Sequence, residues 1–215
     1  MFAASADSAL PLAQIEAGQM TGGILFELGQ ALAQQLHRRA EFLTVPRKRL
    51  DSVLAAGTVD GICYALPGWI DAPVHWTPVL LPNEDLVVGG PHVAAPRSVA
   101  ALADERLGTV LGYRYPELEN TLGDTYQRDN SPSMPLNIRK LMAGRYRYAV
   151  IDRLSLDYHA RQHPELKTWS TLTLSRFQAG CAFSRASRLP MSEVDAAIRQ
   201  LVRQGTMRRI LARYQ

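Results

Sequence analysis

The sequence holds only two cysteines, Cys63 and Cys181, in 215 residues. Each sits in an apolar, strand-like stretch, "GICYA" and "GCAFS", and two isolated thiols are too few ligands for a metal site. The default reading is a pair of buried free thiols; in an oxidising compartment a disulfide between neighbouring strands is the alternative. No apolar run reaches the roughly 20 residues that a membrane helix needs. No signal-peptide pattern is visible either, since Met1 leads directly into "FAASADSALP". That fits a cytoplasmic chain, or a mature domain whose leader was removed. There is no G-x-S-x-G nucleophile turn and no Gly-rich phosphate cradle. Among His37, His75, His92, His159 and His163 the only metal-like spacing is the i, i+4 pair His159 and His163, read as an exposed helix face. Repeats and low-complexity segments are absent.

What is present is ordinary for a globular protein: 47% hydrophobic and 20% charged residues, with a net charge of +4. The basic residues come in short groups: Arg38 and Arg39, Arg47 to Arg49, then Arg203, Arg208, Arg209 and Arg213. They read as solvated helix faces. No interleaved aromatic-and-basic motif accompanies them, so no nucleic-acid partner is expected.

Along the chain the pattern alternates. "FAASA" reads as a strand. After a polar loop, Ile24, Leu25, Leu28, Leu32 and Leu36 keep helical spacing, with Thr21 and Gly22 offering the helix start. "AEFLTV" is β-type, "KRLDSVLAAG" is a short helix closed by Gly57, and "VDGICYAL" is a strand. Residues 69–82 read as an irregular connection. "EDLVVGG" is a strand. The alternation then restarts: "VAALAD" helix, "RLGTVLG" strand, "PELENTLGD" helix, "PLNIRKLMAGR" helix, "YRYAVID" strand, "RLSLDYHARQ" helix. "LKTWSTLTL" and "FQAGCAFS" are β-type, and two helical pieces joined at Gly205 end the chain. Strand and helix in alternation predict α/β architecture with parallel strands and crossover helices. The first half lacks the strands to close a sheet, and the β-run at 176–184 is placed to return and complete it. The expected domains are therefore 1–88 with 179–215 as a discontinuous first lobe, and 89–178 as an inserted second lobe, joined by two strand-like hinges.

Four elements in this order carry a resemblance: "GGILFELGQALAQQLHRRAEF", "LDSVLAAGTVDGI", "LMAGRYRYAVID" and "AIRQLVRQGTMRRILARY". Together they resemble the bacterial extracellular solute-binding proteins of family 3, the substrate-binding components of polar amino-acid-type ABC transporters. The resemblance implies a periplasmic-binding-protein type II fold, with a mixed, mostly parallel sheet and flanking helices in each lobe. It implies a periplasmic monomer, without cofactor, that clamps a small polar solute between its lobes and delivers it to a membrane permease. Two other readings stay open. One is the sensing module of a signalling receptor. The other is a cyclohexadienyl-type dehydratase, for which Asp152 or Glu117 would serve as the carboxylate.

In α/β sheets, ligands sit beyond the carboxyl ends of the strands. That rule selects residues 5–8, 64–69, 112–116 and Asp152. Asp7 is either a turn aspartate or a binding residue. Tyr64, Leu66 and Trp69, in "YALPGW", offer apolar and aromatic surface; Trp69 reads equally as a core residue. By the family register Trp69 takes the place of the usual Thr and Ala72 that of the usual carboxylate-binding Arg. No arginine lies between Arg49 and Arg97. Arg114, flanked by Tyr113 and Tyr115, is the substitute candidate for an anion. Asp152 matches the family acid that receives a ligand's ammonium group, and an aspartate before a helix is also a good N-cap.

Overall fold

Each predicted crossover places a short apolar strand beside its predecessor, and the computed structural model shows the sheets that result. It describes residues 1–123 and 126–215. The chain forms two units, Met1–Pro82 with Gln178–Gln215, and Asn83–Phe177.

In the first unit, β1 (Phe2–Ser5) lies between β4 (Phe42–Val45) and β5 (Gly61–Ala65), parallel to both. All four residues of β1 are buried, as a central strand of a parallel sheet requires. Helix α1 (Ile24–Gln35) buries Ile24, Leu28 and Leu32 on one face, at the spacing read from the sequence. Helix α2 (Leu50–Ala55) follows a single 3-10 turn and ends with Gly57 at φ 66°. The long strand β11 (Thr171–Ser184) returns antiparallel to β5 through residues 180–183, and so supplies the strand the first half lacks. Helices α6 (Met191–Arg203) and α7 (Thr206–Leu211) meet at Gly205 and rest on α1.

In the second unit, β8 (Arg106–Val110) lies between β9 (Gln127–Ser131) and β10 (Tyr148–Asp152), all parallel. The strand β7 (Leu81–Gly89) runs antiparallel to β10. Helices α3 (Pro116–Leu122), α4 (Met134–Met142) and α5 (Arg153–His159) complete it. Leu86 and Ile151 lie in one core layer and Val87 and Val150 in another, so the sheet is covered on both faces. Strands β7 and β11 each run from one unit into the other.

Several elements differ from the sequence reading. Thr21 and Gly22 are not the helix start but the end of β3 (Gln19–Gly22), which pairs with β2 (Gln14–Glu16). The chain then turns at Gly23, φ 97°, where an added Cβ would lie 2.6 Å from the Ala13 backbone. The first glycine of the pair is a strand residue; the second makes the corner. The irregular stretch 69–82 contains β6 (Val74–Trp76), an edge strand on β11. The polar "QRDNS" carries no apolar alternation, yet it forms β9, an edge strand bonded among the described residues only to β8. The two β-type runs after residue 166 are one strand, with Leu166–Thr168 in a 3-10 turn before it. "VAALAD" forms a 3-10 turn rather than an α-helix. The helix expected over 116–124 reaches Leu122; its last expected residue, Asp124, lies outside the described residues. His159 and His163 are both half-buried rather than an exposed pair. Cys63 and Cys181 are not free thiols. They are register partners on β5 and β11, with Cα atoms 4.0 Å apart, and form a disulfide.

Candidate functional site

Because β4, β1 and β5 are parallel, their carboxyl ends lie along one edge of the first unit's sheet. Asp7 emerges just beyond β1. The Ser5 hydroxyl donates to it, and Arg47 Nε lies 3.3 Å from Asp7 Oδ2. Arg47 follows β4 and Pro46. The sequence reading placed it on a basic helix face, because nothing local marks its partner forty residues earlier. The pair is partly exposed, with side chains 36% and 27% accessible, so it adds little stability. It does set both signs of charge at this edge.

After β5 the chain presents aromatics. The rings of Tyr64 and Trp69 meet edge-on with centroids 6.1 Å apart. Trp69 is 37% exposed, unusual for a residue this large, and is not in the core. Its N–H donates to the Leu66 carbonyl at 3.0 Å, closing a turn. Beyond the turn, Asp51 on α2 accepts from the Asp71 and Ala72 N–H groups at 2.8 and 3.0 Å. The loop is thereby tied at both ends. Leu66 is half-buried.

In the second unit the loop after β8 carries Leu111, Tyr113 and Arg114. Leu111 is 62% exposed, Arg114 is exposed, and Tyr113 is half-buried. Tyr115 is a core residue instead. It is 2% exposed, and its hydroxyl accepts the Val110 N–H at 3.3 Å. Burial pushes its phenol up, out of the range in which it would ionise.

The loop is shaped by a residue the sequence reading passed over. Arg128, on β9, donates to the carbonyls of Val110 and Tyr113 at 3.2 and 3.0 Å, and lies 5.3 Å above the Tyr115 ring. Nothing in the sequence marks it, since β9 itself was unread. Replacing Arg128 by leucine leaves both carbonyls without their charged donor, and should destabilise by about 2 kcal/mol. Amide hydrogen exchange at Leu111 and Tyr113 should quicken more than exchange in β10.

Asp152 closes β10 and is 7% exposed. Its Oδ1 accepts from the Ser155 N–H and from Asn83 Nδ2, both at 3.0 Å, so it caps α5. The cap half of its twofold reading therefore holds. The register of β7 on β10 sets Asp85 directly opposite Asp152. Burial first, and then the charge of Asp152, lift the Asp85 carboxyl to about 7, against a lowering hydrogen bond from Ser175. Glu84, the next acid on β7, is already committed to Arg153 and Arg176 at 3.0 and 3.2 Å. Among the described residues no basic side chain forms an ion pair with Asp85 or Asp152. Two facing carboxyls without a counter-charge suit a bound cation better than an anion. Glu117, the alternative carboxylate for a dehydratase, is exposed in the first turn of α3.

No protein-family model and no curated protein matches the sequence. Solved structures do match in fold. One is a substrate-binding protein of an ABC uptake transporter from Streptococcus pneumoniae with bound histidine: TM-score 0.76, 14% identity, 99% of this chain and 91% of that one covered. A second is the GluR0 ligand-binding core in complex with L-glutamate, with TM-score 0.78 and 15% identity over 99% of this chain and 96% of that one. A third is an ancestral amino-acid-binding protein described as a precursor of cyclohexadienyl dehydratase, with TM-score 0.79 and 15% identity over 100% of this chain and 94% of that one. The α/β fold of the periplasmic-binding-protein type, expected from the sequence, is the fold of this chain.

Proposed function

We propose that the protein is a solute-binding protein of the ABC-uptake kind, which binds a small polar solute carrying an amine and hands it to a membrane permease. The observation that carries this reading is the facing pair of half-buried Asp85 and buried Asp152 at the carboxyl end of β10, with no basic ion-pair partner among the described residues. A carboxylate accepts charge-assisted hydrogen bonds from an ammonium group. In the second unit Tyr113 and Arg114 would join Asp152. In the first unit the solute would meet Asp7 with Arg47, and the apolar surface of Tyr64, Leu66 and Trp69. The fold likeness to proteins with bound amino acids supports the reading. Each lobe then binds part of the solute, and closure follows because the solute favours the state in which both sets of contacts are made. A monomer in the periplasm is the proposed form. The disulfide fits an oxidising compartment. Among the described residues no helix is long and apolar enough to cross a membrane.

The test is a thermal-shift panel on refolded protein, free of carried-over solute. It holds amino acids, polyamines, organic acids and aromatic acids, with arginine, lysine and histidine first. A solute at a hundred times its Kd adds about 2.7 kcal/mol, which for a chain of this size raises Tm by about 5–10 °C. A shift confined to amines supports the reading; a shift with organic acids alone, or none, overturns it. Incubation with a cyclohexadienyl acid separates binding from dehydration, because a binding protein leaves the diene absorbance unchanged.

A further inference from the structure

Tyr64 lies inside β5, yet its φ is 61°. A bulky side chain in the left-handed region crowds its own backbone and stays there only when the surroundings impose it. The sheet shows what imposes it. Cys63 faces Cys181, but Ala65 faces Gly180, so two steps on β5 match one on β11. Tyr64 is the extra residue of a β-bulge, a feature that re-aims a side chain. Here the re-aimed ring is the one that meets Trp69.

The disulfide sits at the root of the bulge, since Cys63 immediately precedes Tyr64 and is bonded to its register partner Cys181. Cys181 is also held from its other side. Its N–H donates to Thr77 Oγ1 at 3.0 Å, and the Thr77 N–H donates to the Cys181 carbonyl at 3.0 Å. The frame around Tyr64 is therefore rigid, although Tyr64 itself is in a conformation it does not favour.

We propose that the Cys63–Cys181 disulfide is a positioning device: it locks the bulge that turns Tyr64 toward Trp69, and thereby sets the aromatic wall that receives the solute. The part played by the solute rests on the function proposed above; the locking of the bulge does not. With the bond open, Tyr64 returns to extended backbone, its ring moves toward the opposite face of the strand, and Trp69 loses its contact with that ring.

The experiment needs no solute, so a failure of the solute-binding reading leaves it intact. Trp76→Phe with Trp169→Phe leaves Trp69 as the sole indole. Acrylamide quenching of Trp69 is then measured well below the unfolding temperature, before and after dithiothreitol reduces the disulfide. The quenching constant should rise at least about twofold on reduction, and fall back on reoxidation. The double change Cys63→Ser with Cys181→Ser should show the high value without reductant. An unchanged constant, with only a lower Tm, would mean that the bond is a stability staple, and the proposal fails. Tyr64→Gly keeps the bulge, because glycine accepts the left-handed conformation without strain, but removes the ring that meets Trp69. In that variant the quenching constant should be high before reduction and should not rise further on it; the same rise there as in the parent also overturns the proposal.

Discussion

Asp152→Asn should leave the protein folded while weakening amine binding by about 2–4 kcal/mol, roughly 30- to 1,000-fold. The asparagine carbonyl still accepts the Ser155 N–H, so the cap on α5 survives. What is lost is the charge. Asp152→Ala removes both. It strands the Ser155 N–H, removes the bond from the Asn83 amide, and should cost about 1–3 kcal/mol of stability besides the binding. Thermal shifts with the first amine that scores in the panel, run on both variants, separate the two roles of this residue. If Asp152→Asn binds the amine as tightly as the parent, the aspartate is a helix cap and nothing more, and the amine reading loses its main residue.

Asp85→Asn is expected to stabilise the protein at pH 8 and to leave it nearly unchanged at pH 4. The folded-state pKa of Asp85 is raised from 3.8 to about 7, by burial and then by Asp152. Between those values the folded chain holds a proton that the unfolded chain has released. The stability this group contributes is fully present below its unfolded pKa, and is lost as pH rises through about 7. The loss is on the order of 4 kcal/mol across that window. Asparagine mimics the neutral acid at every pH and should remove the decline. Besides burial, Asp152 and Ser175 act on Asp85: the charge of Asp152 opposes its ionisation, and the Ser175 hydrogen bond favours it. Urea midpoints for parent and variant at pH 4.5, 6 and 8 give the difference for the Asp85–Asp152 pair, since the carboxyls remote from it cancel. A difference that stays flat with pH, or an Asp85→Asn chain less stable at pH 8, would show that Asp85 is ionised and paired. An amine bound at the pair should shrink the same difference, because it supplies the missing counter-charge.

The sequence by itself determined the alternation of elements, the helical face of Ile24, Leu28 and Leu32, and the buried strand that runs into Asp152. These are local: apolar periodicity and the residues that start or stop an element are written within a dozen positions. It also located the carboxyl edges of the parallel strands, because these follow from the alternation alone. Where the pattern was polar or short, as in β9 and β6, edge strands escaped notice, since an edge needs no apolar alternation to hold its hydrogen bonds. Only the tertiary structure decided the rest. Tyr115 and Arg114 are neighbours in sequence, yet one is in the core and the other exposed, because the turn into α3 aims the phenol at the Val110 amide. Asp85 opposite Asp152, Arg47 beside Asp7, Arg128 beneath the 111–115 loop, and the Cys63–Cys181 bond that bends Tyr64 all join residues far apart in the chain. Strand register fixes such pairs. Register is set by the packing of whole sheets, which no window of sequence contains.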